Sequence, residues 1–118
     1  MKFKIDSELN RGIKRFDYVI TDNHQYKKLE ELYSDDPDAV YVVKMFYTNK
    51  KSKFGDNEVV VTDDYIINLP KHLTESVKKI IKDPKYLELI EQSKFAFVIY
   101  EYDYDNRNKA YSVNWGTL

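Results

Sequence analysis

The stretch FAFVIYEYDYDNRNKAYSVNW (residues 95–115) decides the fold, because it places two strand patterns on either side of a turn signal. Apolar and aromatic residues fill positions 95–100, and DNRN (105–108) has the polar composition of a tight turn. In the returning half, Tyr111, Val113 and Trp115 alternate with polar residues, as one face of a strand does. The stretch therefore predicts an antiparallel hairpin of strands 95–104 and 109–115.

The sequence before this hairpin predicts two consecutive short helices. Segment 70–83 begins with a proline, which a first helical turn accepts, and has apolar residues at helical spacing. These residues are Leu73, Val77, Ile80 and Ile81. Asp83 is then expected to cap a second helix that has Pro84 in its first turn. Its inward residues are expected to be Tyr86, Leu87 and Ile90.

The first half of the chain predicts one further helix and several strands. Segment 21–38 predicts the helix, capped by Asp22 or Asn23. Its apolar stripe consists of Tyr26, Leu29, Leu32 and Tyr33. Segments 39–49 and 58–69 predict a hairpin around a lysine-rich turn at 50–57, with a break in the second strand at Asp63-Asp64. Shorter strands are expected at 2–5 and 16–20.

This order of elements predicts the α+β class, with a mainly antiparallel sheet and about three helices packed on one face. A length of 118 residues without repeats or composition breaks predicts a single domain, 1–118. The net charge is −1, so no global field directs the chain toward nucleic acid or an anionic membrane. Cysteine is absent, and no apolar run is long enough to span a bilayer. The start MKFKIDSELN has no signal-peptide pattern, so we expect a cytoplasmic protein without membrane contact.

No motif in the sequence indicates catalysis. His24 and His72 have no partner at metal-ligand spacing, and the three glycines never cluster into a phosphate-binding loop. DYDNRN fails as a calcium loop, because Arg107 would occupy a ligand position and Asn108 the glycine position. We therefore expect no enzyme activity, no metal and no cofactor.

The unusual feature is the alternation of tyrosines and carboxylates in YEYDYD (100–105). Alternation assigns the tyrosines to one strand face and the acids to the other. The expected partner-binding residues are Tyr100, Glu101, Tyr102, Asp103, Tyr104 and Asp105. In one interpretation the tyrosines cover the core, and the acids only keep a hairpin tip soluble. In the other, this edge docks a basic protein partner, such as a nucleic-acid-binding protein or a nuclease.

A small, cysteine-free α+β chain with the edge YEYDYDN and no catalytic signature resembles the inhibitors made by phages and mobile elements, among them type II anti-CRISPR proteins. Some of those are similar in presenting an acidic surface that occupies DNA-contacting sites of a nuclease. The resemblance implies a phage-encoded inhibitor in the host cytoplasm. The net charge of −1 departs from strongly acidic mimics, so a local patch is expected to act. An immunity protein against a toxin would share these features.

A rival interpretation uses the lysines. A nucleic-acid-binding accessory or regulatory protein would contact phosphates through a hairpin tip and a helix face. The residues concerned are Lys50, Lys51, Lys53, Lys71, Lys78 and Lys82. The interleaved Glu75, Asp83 and Glu88 favour an ordinary solvated helix face instead. A self-assembling structural protein is a third alternative.

Overall fold

The computed structural model describes Phe16, residues 18–49 and residues 57–118. In these ranges the chain forms seven strands, three α-helices and one 3₁₀ turn, Lys71–Leu73. The strands are β1 (Gln25–Lys27), β2 (Val40–Val42), β3 (Met45–Asn49), β4 (Asn57–Val61), β5 (Tyr65–Asn68), β6 (Phe95–Asp103) and β7 (Lys109–Thr117). The helices are α1 (Leu29–Asp35), α2 (Thr74–Lys82) and α3 (Pro84–Glu91).

The strands form two sheets. One has four strands in the order β1-β5-β4-β3, and the other has three in the order β2-β6-β7. Every pairing in them is antiparallel except that of β1 with β5. The α+β class with mainly antiparallel pairing is therefore confirmed, and the strands divide between two sheets where the sequence predicted one.

The division arises inside segment 39–49, which was expected to be one strand. The Val43 N–H donates to the Phe95 carbonyl (2.9 Å), whereas the Lys44 N–H donates to the Val61 carbonyl (2.8 Å). Two adjacent residues thus pair with different sheets, and the chain crosses from β2 to β3 between them. Both halves contain β-branched and aromatic residues that favour strands, so composition alone could not reveal the crossing.

The predicted helix over 21–38 is wrong in its first part. Residues 25–27 form β1, which pairs with β5 in the register Gln25↔Tyr65 to Lys27↔Ile67. The helix begins only at Leu29. At the residue before it, the Lys28 N–H donates to the Glu31 carboxylate at 3.0 Å. Neither Asp22 nor Asn23 caps it. Tyr26 has helical spacing with Leu29 and Leu32, but the pairing of its segment with the distant strand β5 determines its conformation.

Other elements agree more closely with the predictions. The break at Asp63-Asp64 is confirmed, since β4 and β5 pair around it. The Asp83 carboxylate accepts from the Lys85 N–H at 3.0 Å and so caps α3 as expected. Residues 18–20 form no strand, which corrects the strand expected at 16–20. The strand expected at 2–5, and the turn at 50–57 except for Asn57, lie outside the described residues.

Aromatic rings from β6 and β7 form the centre of the core. The Phe95 and Trp115 rings stack at a centroid distance of 5.8 Å, and Phe97 meets Trp115 edge-on at 5.6 Å. The three helices add buried aliphatic residues to the same cluster: Leu29, Leu32, Val77, Ile80 and Ile90. As predicted, Tyr111, Val113 and Trp115 all pack on this side of the hairpin.

Candidate functional site

The pairing of β6 with β7 is continuous over nine residue pairs, from Phe95↔Thr117 to Asp103↔Lys109. One flanking pair at each end is hydrogen-bonded, the Leu118 N–H donating to the Lys94 carbonyl and the Tyr104 N–H to the Asn108 carbonyl. Antiparallel ladders alternate between bonded and non-bonded pairs, so the even-numbered residues of both strands bond across this hairpin. The register is thereby fixed from the core to the tip.

Burial changes abruptly along this hairpin. Phe95, Phe97 and Ile99 are buried, whereas residues 102–109 are all exposed. The partner strand β2 reaches only as far as the pair Val40↔Val98. Residues 100–111 therefore extend beyond the sheet's third strand, and we call this outer part of the hairpin the hairpin arm.

The acidic edge of the arm consists of Glu101, Asp103 and Asp105. Glu101 accepts a hydrogen bond from the Tyr111 hydroxyl at 2.8 Å, directly across the strand pair. This hydrogen bond, with smaller contributions from burial and from the carboxylate's charge, raises the pKa of Tyr111 to about 12. Glu101 thus continues the core-facing side of β6 and ties the two strands together.

The other two acids also have partners within the arm. The Asp103 carboxylate forms an ion pair with the Lys109 ammonium, which faces it across the strands. Asp105 accepts from the Arg107 N–H (2.8 Å) and from the N–H and side-chain amide of Asn108 (2.9 and 3.0 Å). The Arg107 N–H is the main cause of the lowered pKa of Asp105. All three carboxylates therefore stabilise the shape of the arm, as acceptors with lone pairs still open to solvent.

The tyrosines lie on the opposite side from the core, so the interpretation in which they cover it is wrong. Tyr100, Tyr102 and Tyr104 are 39%, 36% and 72% exposed, and Val40 beside them is 54% exposed. We call these four residues the tyrosine face. Cross-strand partners share a face, so the same side also contains Ala96, Val98, Ala110, Ser112 and Asn114. None of these residues is Asp, Glu, Lys or Arg.

The rings of the tyrosine face are braced by neighbours. Tyr100 and Tyr102 have centroids 6.0 Å apart, and the His72 ring meets Tyr102 edge-on at 6.3 Å. His72 is fixed in turn, because its Nε2 lies 2.9 Å from the hydroxyl of the buried Ser112. Sequence reasoning treated His72 as an isolated polar residue. Only the fold, which brings it 40 positions along the chain to Ser112, reveals its place beside the face.

The other histidine is held in a separate place. His24 Nδ1 accepts from the Thr21 N–H (3.1 Å), and its Nε2 lies 3.0 Å from the Thr62 carbonyl and 2.9 Å from the Tyr18 hydroxyl. These contacts fasten the segment before β1 to the turn between β4 and β5. Within the described residues, the hydrogen bonds and the ring contact of His24 join it to Tyr18, Thr21 and Thr62 and not to the hairpin arm.

The lysines of the rival interpretation are only partly described. Lys71, Lys78 and Lys82 are exposed on the 3₁₀ turn and on α2, whose opposite side buries Val77 and Ile80. Lys50, Lys51 and Lys53 lie outside the described residues. A joint phosphate-binding surface of all six stays a prediction.

A surface hollow of about 410 Å³ lies at the tip of the arm. It is lined by Asp103, Asp105, Asn106, Arg107, Asn108 and Lys109. Two of these side chains, Asp103 and Lys109, already form an ion pair. Over the described ranges, no three His, Asp or Glu side chains gather as a metal site. None of the helices within the described part is long and apolar enough to cross a membrane.

Comparisons with protein-family models, with curated protein sequences and with solved structures found no match to this chain.

Proposed function

We propose that this protein is a small inhibitor that binds one protein partner through the hairpin arm. The observation on which the proposal rests is the contrast along a single hairpin. Its inner half is buried in the core, and its outer half presents exposed tyrosines and carboxylates in a fixed register. A rigid projection rich in tyrosine suits protein recognition, because tyrosine provides large contact area at a small entropic cost.

The class of partner follows from the charge of the arm. Glu101, Asp103 and Asp105 outnumber Arg107 and Lys109, so the arm is slightly acidic. An acidic projection attracts a basic surface and increases the rate of association. A nuclease or another nucleic-acid-binding protein has such a surface where it contacts phosphates. We therefore propose occupation of a basic nucleic-acid-contacting surface as the mode of inhibition, with an RNA-guided nuclease of the CRISPR type as the first partner to test.

The direct test adds the protein to a purified type II RNA-guided nuclease loaded with its guide and measures cleavage of target DNA. Inhibition is expected at a concentration near the binding constant, and it should weaken in the variant Glu101→Gln/Asp103→Asn/Asp105→Asn. The Asn at 105 retains an oxygen that can accept from the Arg107 N–H, so the turn should persist. A far-UV spectrum equal to that of the wild type verifies the fold.

A matched control neutralises three exposed acids elsewhere, Asp22→Asn, Glu75→Gln and Glu91→Gln, and changes the net charge equally. If both triple variants weaken inhibition to the same degree, only overall charge matters and the arm is not the contact. In parallel, capture from an extract of the host cell compares the wild type with the arm variant. If neither assay shows binding that depends on the arm, the proposal fails. Gel retardation of DNA or RNA that depends on salt and on Lys78 and Lys82 would support the nucleic-acid alternative.

A further inference from the structure

The two sides of the hairpin arm differ in whether their groups are already engaged. Each acid on one side has an internal partner: the Tyr111 hydroxyl, the Lys109 ammonium or the amides of the tip. On the other side, the residues beside the tyrosine face that are at least partly exposed, Val98, Ala110 and Asn114, are also uncharged, although 33% of the chain is charged. A surface that avoids charge in so charged a chain indicates a contact that loses its water on binding.

From this difference we infer that the tyrosine face provides most of the affinity, and that its ligand is an extended segment of the partner protein with apolar, uncharged side chains, next to the basic surface that the acids attract. The inference rests on the proposed function and specifies the partner's chemistry at the same site. The acids are expected to affect the rate of association, as charges at the rim of an interface do. Fully desolvated aromatic anchors, by contrast, provide most of the binding energy.

The exposed area and the length of the face indicate which kind of ligand it can bind. With 39%, 36% and 72% of the three tyrosine side chains exposed, and aromatic residues offering ~200 Å² each, the rings present roughly 300 Å². A stable pair of globular surfaces needs ~800 Å² on each side, so this face is too small for a symmetric dimer of the chain. From the level of Val40, which pairs with Val98, to Tyr104 the face runs ~20 Å at ~3.4 Å per residue, which accommodates an extended segment of about six residues.

The face is also organised before binding. The Tyr102 ring lies between Tyr100 and His72, and His72 is held by the buried Ser112. Rings that are already braced lose less rotamer entropy when a ligand covers them. Single-stranded nucleic acid, which also stacks on tyrosines, is disfavoured because the three acids on the same arm repel its phosphates.

The test uses a random 12-residue peptide library displayed on phage and selected against the whole protein. Selected peptides are synthesised, and their dissociation constants are measured for the wild type and for three variants. Tyr100→Ser/Tyr102→Ser removes the two braced rings of the face, and Glu101→Gln/Asp103→Asn neutralises the acidic edge. Tyr26→Ser removes a tyrosine on β1 that is 70% exposed and serves as the matched control.

We expect apolar peptides whose binding weakens on the order of tenfold or more in the double tyrosine variant, as loss of aromatic anchors does. Binding should change less than about threefold in the other two variants, and the salt dependence should be shallow. The inference would be overturned by any of these results: no selected peptide, binding insensitive to Tyr100→Ser/Tyr102→Ser, basic peptides that depend on the acids, or a light-scattering mass of a dimer that the tyrosine variant abolishes. Tyrosine-dependent binding of a labelled single-stranded oligonucleotide would assign the face to nucleic acid instead.

These outcomes are separable from a failure of the proposed function. If nuclease inhibition requires the acids and tolerates Tyr100→Ser/Tyr102→Ser, the protein is an inhibitor and only the inference about the face is wrong. If peptides bind the face but neither the nuclease nor the host extract yields a partner that depends on the arm, the inhibitor proposal is wrong and the peptide-binding face remains.

Discussion

Truncation of Phe97 should destabilise the whole protein, because its buried ring contacts both strands that flank β6 in its sheet. Its side chain is 1% exposed. Its ring stacks on Tyr41 of β2 at 5.4 Å and meets Trp115 of β7 at 5.6 Å. Phe97→Ala removes both ring contacts and leaves a cavity, a change that costs ~3–5 kcal/mol of unfolding free energy in well-packed cores.

Urea unfolding followed by fluorescence measures this loss, since Trp115 is the only tryptophan and lies against the deleted ring. With a denaturant slope of ~1–3 kcal/mol per molar for a small domain, the midpoint should fall by roughly 2 M. The surface control Tyr104→Ala, at a residue 72% exposed, should stay within about 0.5 kcal/mol of the wild type. If Phe97→Ala is too unstable to purify, Phe97→Leu should show a smaller loss of the same sign. A loss below ~1 kcal/mol would refute the packing described for β2, β6 and β7.

Two further predictions concern the hairpin arm. Because the pKa of Tyr111 is raised from its ordinary 10.0 to about 12, mainly by its hydrogen bond to Glu101, the hydroxyl's contribution to stability is present up to pH 10 and is lost as pH rises to 12. Glu101→Gln should move the tyrosine titration at 295 nm toward lower pH, with Tyr111→Phe identifying the signal; no shift would contradict the hydrogen bond. The lowered pKa of Asp105, ordinarily 3.8, acts in the opposite sense: its contribution is present above that value and is lost as pH falls. Asp105→Ala should accelerate amide exchange at Arg107 and Asn108 while Asp105→Asn retains most of the protection, and equal exchange in both variants would argue against the turn contacts.

Elements fixed by local signals could be predicted from the sequence, and elements fixed by distant pairing could not. The hairpin of β6 and β7 and the Asp83 cap of α3 depend on residues close together in the chain. The strand β1 depends on β5, 40 positions away in the register Gln25↔Tyr65, and its own residues had helical spacing. The crossing at Val43 and Lys44 depends on pairing with β6 and β4, which are distant in the chain, so the local composition cannot predict it.

The same distinction applies to the candidate site. Alternation in YEYDYD correctly placed tyrosines and acids on different sides of β6, because that follows from strand geometry alone. It could not tell which side faces the core, since residues 95–99 are apolar on both sides. The partners of the acids were equally hidden. Tyr111 and Lys109 become neighbours of Glu101 and Asp103 only once the register of the hairpin is set.

In the hairpin arm, the interactions that fix its shape lie mainly on the acidic side, and the exposed apolar surface lies on the other side. On the acidic side, Glu101 accepts from the Tyr111 hydroxyl across the strands, and Asp105 accepts from the amides of the tip, so hydrogen bonds hold the hairpin where hydrophobic burial has ended. The bonds at the tip are solvent-exposed and the Tyr111–Glu101 bond is half-buried, so they shape the arm with little core beneath it. On the other side, Tyr104 and Val40 are 72% and 54% exposed, and this exposed area is available to stabilise a complex.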